Sequence, residues 1–286
     1  MKLLIKKIIF FLKGYLNLDK LNRIELSGKL VYYSNFKFIP KTPLNIPFNL
    51  GRTPRGISFD NLSDVNLKGN NQDLIGKQYI DQLNGISNER IIEDHMQILR
   101  KEESLTAADI MNCPNNKYLK SYPAWASVCP WDKISIEIKY NTYLESLIEN
   151  RIKHGAKFNS KNLKLMKEEI YSNEIAISHL KQNEKLIKSF REKGIQKPKN
   201  LQLPRVKILI NSNREWRWIM ASEGTHRSYL FYFFGLKYFY VIIEEIIYRE
   251  SLDSCYNVKN GLFSLKEAQN IFDGIFLGSF YIRGII

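Results

Sequence analysis

Apolar and polar positions along the chain follow two periods, and the change between them predicts where helices give way to strands. Residues 72–84 and 88–101 alternate charged and apolar positions at helical spacing, with Asn84-Gly85 as the break between two packing helices. Residues 143–153 and 162–172 continue at helical spacing. Residues 177–193 do the same with Leu180, Ile187 and Phe190 facing inward, and Gly194 is placed to end that helix. Strand-like alternation predicts extended segments at 133–139, where Ile134, Ile136 and Ile138 share a face, and at 205–210, 216–221 and 241–247. Asn211-Ser212-Asn213 supplies a turn between the second and third of these.

The first sixty residues read differently. Residues 20–60 suggest short strands, at 23–26 and 30–39, followed by turns around Pro40, Pro43, Pro47 and Pro54. Residues 111–122, with Cys113-Pro114-Asn115-Asn116, read as a loop and as the expected boundary between an amino-terminal region and the remainder. The aromatic concentration at 229–243 is interrupted by Gly235 and Lys237 and is too short to span a membrane comfortably. It predicts a buried helix end, a turn and a buried strand. At the carboxyl end Ser264, with Glu267 three residues later, fits a capping box ahead of a packing helix whose apolar face is Leu265, Ala268, Ile271, Phe272 and Ile275.

Charge adds a second layer. The 286 residues carry 43 Lys and Arg against 29 Asp and Glu, a net charge of +14. Residues 1–60 hold 11 basic and 3 acidic side chains, residues 61–130 hold 7 and 9, and residues 151–217 hold 17 and 6. Two separate basic regions result, and each is either a solvated face or an anion-binding surface. The first includes residues 1–18, an amphipathic segment with lysines at 2, 6, 7 and 13. Its longest apolar run, residues 8–12, is far below the roughly 20 residues of a membrane span. The expectation is a helix lying on an anionic membrane or docked on the domain. Without a small-residue cleavage site after the apolar stretch, a secretory signal is not expected. Cys113, Cys129 and Cys255 form no C-x-x-C pair, which argues against a disulfide framework and a zinc site and fits a cytoplasmic setting.

Glu223-Gly224-Thr225-His226-Arg227-Ser228 is the segment richest in chemistry. It lies between an expected strand and an expected helix. Backbone N–H groups at a helix start and an Arg fork suit phosphate oxygens. The glycine permits close approach, and the histidine donates to phosphate or shuttles a proton. The same residues also fit a core histidine beside a surface ion pair. Arg151, His154 and Arg217 are additional candidate anion contacts.

The order of segments resembles the ParB and sulfiredoxin-like superfamily over about residues 130–250. The matching pieces are Pro130-Trp131-Asp132 with the expected first strand, the helix at 177–193, Gly194-Ile195-Gln196-Lys197-Pro198, the strand pair, the Gly224-Thr225-His226-Arg227 loop, and Gly235-Leu236 before Val241-Ile242-Ile243. The resemblance implies an α+β fold, a small mixed sheet with helices, preceded by a mainly helical amino-terminal extension. The corresponding division is a basic helix at 1–18, an extension at 19–120, the superfamily domain at 121–250 and a helical packing segment at 251–286.

It further implies nucleotide phosphate recognition by Gly224, Thr225, His226 and Arg227, with Ser228 helping, and a nucleoside di- or triphosphate with Mg²⁺ as cofactor. Asp132 stands roughly where kinase members carry an acidic residue. Asp132 and His226 are therefore the expected catalytic pair, and Glu223 the expected metal ligand. Thr225 occupies the place of the sulfiredoxin cysteine, which removes sulfinic acid reduction. Only some 40 residues follow Tyr248, too few for the DNA-reading module of ParB proteins. The leading expectation is thus a nucleotide-binding protein, with phosphoryl transfer to a small-molecule or glycan-precursor acceptor as its enzymatic form. The alternatives are a ParB-like DNA-binding or nuclease protein using residues 151–217, and a membrane-associated scaffold held by residues 1–18.

Overall fold

The computed structural model describes residues 44–62, 74–153, 173–194, 203–221 and 223–278. In chain order the elements are β1 (Leu44–Pro47), β2 (Gly51–Arg52), α1 (Leu74–Leu83), α2 (Asn88–Glu103), α3 (Ala107–Ile110), α4 (Ile136–Lys153), α5 (Asn173–Lys193), β3 (Arg205–Ile210), β4 (Trp216–Met220), α6 (Thr225–Phe233), β5 (Tyr238–Tyr248), α7 (Tyr256–Lys259) and α8 (Leu265–Leu277), with short 3₁₀ turns between several of them. Helices and a mixed sheet together make the chain α+β. The chain divides into two compact units. One comprises Met1–Asp64, Lys193–Ser251 and Phe272–Phe280, and the other Val65–Glu192, Leu252–Ile271 and Tyr281–Ile286. The expected elements at 1–18, 23–26, 30–39 and 162–172 lie outside the described residues.

The five strands among the described residues belong to the first unit, in the order β1-β5-β3-β4-β2. β1 and β5 are antiparallel, β5 and β3 parallel, β3 and β4 antiparallel, and β4 and β2 parallel. The two ends of that order are neighbours in the chain, joined only by the 3₁₀ turn Phe48–Leu50. Four inter-strand spacings of about 4.8 Å would separate the edges of a flat sheet by roughly 19 Å. Three residues of 3₁₀ helix advance only about 6 Å. The sheet therefore curls, with β1 and β2 brought toward each other.

Aromatic rings fill the curl. Phe48 stacks on Phe239 at 4.3 Å and meets Phe59, Trp218 and Tyr232 at 5.3 to 6.0 Å. The Trp218 indole N–H donates to the Pro47 carbonyl at 2.7 Å, and the Phe48 N–H to the Lys237 carbonyl at 3.0 Å. A Cβ at position 51 would lie 2.2 Å from the buried Trp218 ring, so only glycine fits where the indole crosses the β2 backbone.

The sequence-predicted strands at 205–210 and 216–221 are present. Asn211 closes their hairpin by accepting the Glu215 N–H at 2.9 Å on its side-chain oxygen, with Arg214 at φ 63°. β5 begins at Tyr238, three residues before the expected start, because Phe239 pairs with Ile46 of β1. Between Val206 and Lys207 the register slips by one residue. This bulge lets consecutive glutamates on β5 reach successive cations on β3: Glu244 lies 3.3 Å from Arg205, and Glu245 lies 3.5 Å from Lys207.

In the second unit, α1 and α2 lie either side of the predicted Asn84-Gly85 break, and Lys77 joins them by reaching Asp81 at 2.5 Å and Asp94 at 3.0 Å. Gln78 and His95 are buried between the same helices with Nε2 and Nδ1 2.5 Å apart. Asn257 ties α7 to the loop before α4, its amide donating to the carbonyls of Cys129, Asp132 and Ile134 at 3.0 to 3.2 Å.

The expected strand at 133–139 is instead the start of α4. Ser135 accepts the Ile138 N–H on its hydroxyl at 3.3 Å and starts the helix. Ile136 is buried whereas Ile138 is 53% exposed, so the three isoleucines do not share one face. The first of the strands on which the superfamily resemblance relied is therefore helical. At α8 the Ser264–Glu267 capping box forms as expected: Ser264 N–H and O–H both donate to the Glu267 carboxylate at 2.8 Å, and Glu267 N–H returns to the Ser264 hydroxyl at 3.2 Å.

Candidate functional site

The segment from Glu223 to Ser228 connects β4 to α6 in the curled-sheet unit. Its base is held by backbone pairing. Ala221 N–H donates to the Arg205 carbonyl at 2.9 Å, and Arg205 N–H to the Glu223 carbonyl at 3.0 Å. Gly224 follows with φ 86°, a left-handed conformation that glycine adopts without penalty. A Cβ there would lie 2.5 Å from the Pro204 Cα. The glycine is thus required by the close passage of β3's entry, as well as by the turn.

α6 starts at Thr225 because Tyr229 and Leu230, one turn on, are buried, and it ends where Gly235 takes φ 78°. Its N-cap residue, Gly224, has no side chain with which to cap the amino end, and no acidic residue lies in its first turn. The first N–H groups of a helix have no carbonyl within the helix to meet, and their dipoles favour an anion. Ser228 N–H is bonded to the Gly224 carbonyl at 3.0 Å. Thr225, His226 and Arg227 are half-buried at this end, which gathers a hydroxyl, an imidazole and a guanidinium on one turn.

Ser228 is buried, and its hydroxyl donates to the Gly224 carbonyl at 3.1 Å, which directs it into the helix. Glu223 pairs with Arg205 at 3.5 Å, and Arg205 with Glu244 at 3.3 Å. Among the described residues no group of three His, Cys, Asp or Glu side chains is placed to hold a metal ion. The Glu223 carboxylate has the Arg205 guanidinium as its neighbour.

Asp132 belongs to the second unit. Its carboxylate accepts the Cys129 N–H at 2.8 Å and closes the turn at Pro130-Trp131. Arg217 donates to the Trp216 carbonyl at 2.7 Å and lies 4.9 Å over the Phe276 ring. Burial lowers its pKa, with Glu215 acting in the opposite direction. Position 151 lies in α4, and position 154 is outside the described residues.

One more guanidinium of this unit, Arg52, had no sequence signal as a site residue. Arg52 is buried, with its Nε and Nη2 donating to the Ile275 and Phe276 carbonyls at 2.7 to 3.2 Å and Nη1 donating to the Gly51 carbonyl at 2.7 Å. Burial first, and the Arg217 charge second, push its pKa down to about 10. Placing a cation on the last carbonyls of α8 is favourable to the helix dipole, and the role is structural. The sequence signal was only an Arg beside a glycine in a proline-rich stretch.

Among the described residues no helix is long and apolar enough to cross a membrane. Comparison of the chain with protein-family models, with curated proteins and with solved structures found no match in any of the three.

Proposed function

We propose that this chain binds the phosphate groups of a nucleotide at the start of α6, with Thr225, His226 and Arg227 as the contacting residues and Gly224 shaping the turn. The observation that carries this reading is the amino end of a nine-residue helix entered through Gly224 at φ 86°, with those three side chains on its first turn and no acidic residue among them. Two features narrow the expectation drawn from the ParB and sulfiredoxin-like resemblance. Ser228 supports the turn through the Gly224 carbonyl. Phosphoryl transfer needs a base on the acceptor hydroxyl, and the Asp132 carboxylate is engaged by the Cys129 N–H. The proposal therefore rests at nucleotide binding, and transfer to a small-molecule or glycan-precursor acceptor is its further extension.

A panel of nucleoside di- and triphosphates tested by thermal shift checks it. At a hundredfold excess over Kd, one nucleotide is expected to stabilise the chain by about 2.7 kcal/mol. Arg227→Ala is expected to abolish that gain, read as the difference between the melting temperatures of the same variant with and without nucleotide. No shift with any nucleotide, or equal shifts in Arg227→Ala, would sink the proposal.

A second reading has one specific observation in its favour. Among the described side chains of α5, Lys181, Lys185, Lys188, Arg191 and Lys193 are exposed, as are Glu184 and Glu192, the latter 3.9 Å from Lys188. Such a surface suits a DNA backbone, and binding there would weaken with salt at about −0.9 in the log–log slope per phosphate neutralised. A salt-independent response removes this reading.

A further inference from the structure

Three cations of the curled-sheet unit have carboxylates beside them. Arg205 meets Glu223 and Glu244, Lys207 meets Glu245, and Arg249 holds Asp273 through two bonds of 2.7 and 2.8 Å. Arg52 and Arg217 differ: among the described residues neither guanidinium has an ion-pair partner. The Glu215 carboxylate, which attracts Arg217, is held by the Asn211 amide at 2.9 Å. Asp60 attracts Arg52 less than Arg217 repels it.

The sheet sets these two cations side by side. β2 and β4 are parallel with Arg52 opposite Ile219, so Arg217, two residues earlier on β4, lies on the same face, the one opposite Trp218. Two residues along a strand and one inter-strand spacing separate their Cα atoms by roughly 8 Å. Phe276 serves both: its carbonyl accepts from Arg52, and its ring lies 4.9 Å from the Arg217 guanidinium carbon. Arg52 is 4% exposed, and its bonds go to carbonyls and the Ser58 hydroxyl, with one Nη2 N–H left over. The end of α8 offsets at most about half of its charge. Arg217 is half-buried and places one Nη1 N–H on the Trp216 carbonyl. Its Nε–Nη2 edge has no hydrogen bond among the described residues, and that edge is the fork that grips two oxygens of one anion.

Two like charges at this separation repel, and a neutral ligand leaves that repulsion in place. A doubly charged anion cancels it. We infer that Arg217, with Arg52 behind it, forms a binding site for a small tetrahedral dianion, the chemistry shared by inorganic phosphate and sulfate, held on the Nε–Nη2 edge of Arg217. The site is built from β2, β4 and the end of α8, shares no residue with the start of α6, and does not rest on the nucleotide proposal.

The experiment is arginine footprinting of the full chain with phenylglyoxal, read by peptide mass spectrometry at constant ionic strength. Inorganic phosphate and sulfate are each expected to slow modification of Arg217 in proportion to 1 + [L]/Kd, reaching about fivefold or more during the titration. Acetate, a monoanion, should leave the rate within about twofold, and so should every anion at Arg214, which is exposed on the turn between β3 and β4 and serves as the internal reference. Protection of Arg217 should persist in Arg227→Ala, which separates this site from the start of α6. Arg217→Lys keeps the charge without the fork, and in the Arg227→Ala background it should weaken phosphate binding about fivefold or more, measured by calorimetry. The inference is overturned by an Arg217 rate that phosphate and sulfate do not change, by equal protection with acetate, or by protection that disappears in Arg227→Ala. An Arg217 that resists the reagent without any anion overturns it too, because its edge is then closed, and so does unchanged phosphate affinity in Arg217→Lys.

Discussion

A Cβ at Gly224 would meet the Pro204 Cα at 2.5 Å on a backbone already at φ 86°, so Gly224→Ala strains the fold irrespective of any ligand. Overpacking and the left-handed conformation together predict a loss of about 2 to 4 kcal/mol, readable as a lowered denaturant midpoint without nucleotide. A full-stability Gly224→Ala protein would contradict the tight packing. The sequence suggested a close approach at this glycine; the group that approaches is Pro204, which periodicity does not reveal. Cys113 makes a second prediction at the same scale. Burial first, and Glu267 second, push its thiol up to about 12 from the ordinary 9.0. The unfolded chain releases that proton from about pH 9, while the folded chain holds it until about pH 12. This contribution is therefore intact below pH 9 and is lost as pH rises toward 12. In native protein at pH 8, alkylation followed by mass spectrometry should find Cys113 protected and should modify it once the chain is unfolded.

At the scale of elements, the buried Arg52 guanidinium holds the last carbonyls of α8 beside β2. Arg52→Met keeps the approximate length and removes the donors, leaving the Phe276 carbonyl without this partner. The expected loss is about 3 kcal/mol, seen as an earlier urea transition. A loss below about 0.5 kcal/mol would show that the contact contributes little.

The elements differ in how far sequence revealed them. The hairpin of β3 and β4 was legible because the alternation of residues 205–210 and 216–221 agrees with its Asn-rich turn, and the α8 cap because Ser264 and Glu267 satisfy each other locally. The start of α4 was not. Isoleucines at 134, 136 and 138 alternate as in a strand, yet Ser135 caps the segment and only Ile136 of the two helical ones is buried, so the local cap outweighs the two-residue period. The pairing of β1 and β2 with the distant β5 and β4 had no sequence signal, since short strands amid prolines gain their register only from the long-range partners they meet.

For the molecule as a whole, the chain divides into two compact units, and the candidate phosphate site lies in the one that holds the curled sheet. The net charge of +14 alone favours any polyanion. The proposed phosphate contacts, Thr225, His226 and Arg227, draw on a local part of that charge at the start of α6. The candidate phosphate loop was legible because Gly, His and Arg stand together between a strand and a helix. The duties of Ser228, Glu223 and Asp132 were not, since each depends on a hydrogen bond or ion pair whose partner periodicity does not identify. Hydrogen–deuterium exchange with and without saturating nucleoside triphosphate tests the central claim most directly. The account predicts slowed exchange at the amides of Thr225, His226 and Arg227, absent in Arg227→Ala; unchanged exchange across residues 224–228 at saturation, or protection confined to another part of the chain, would contradict it.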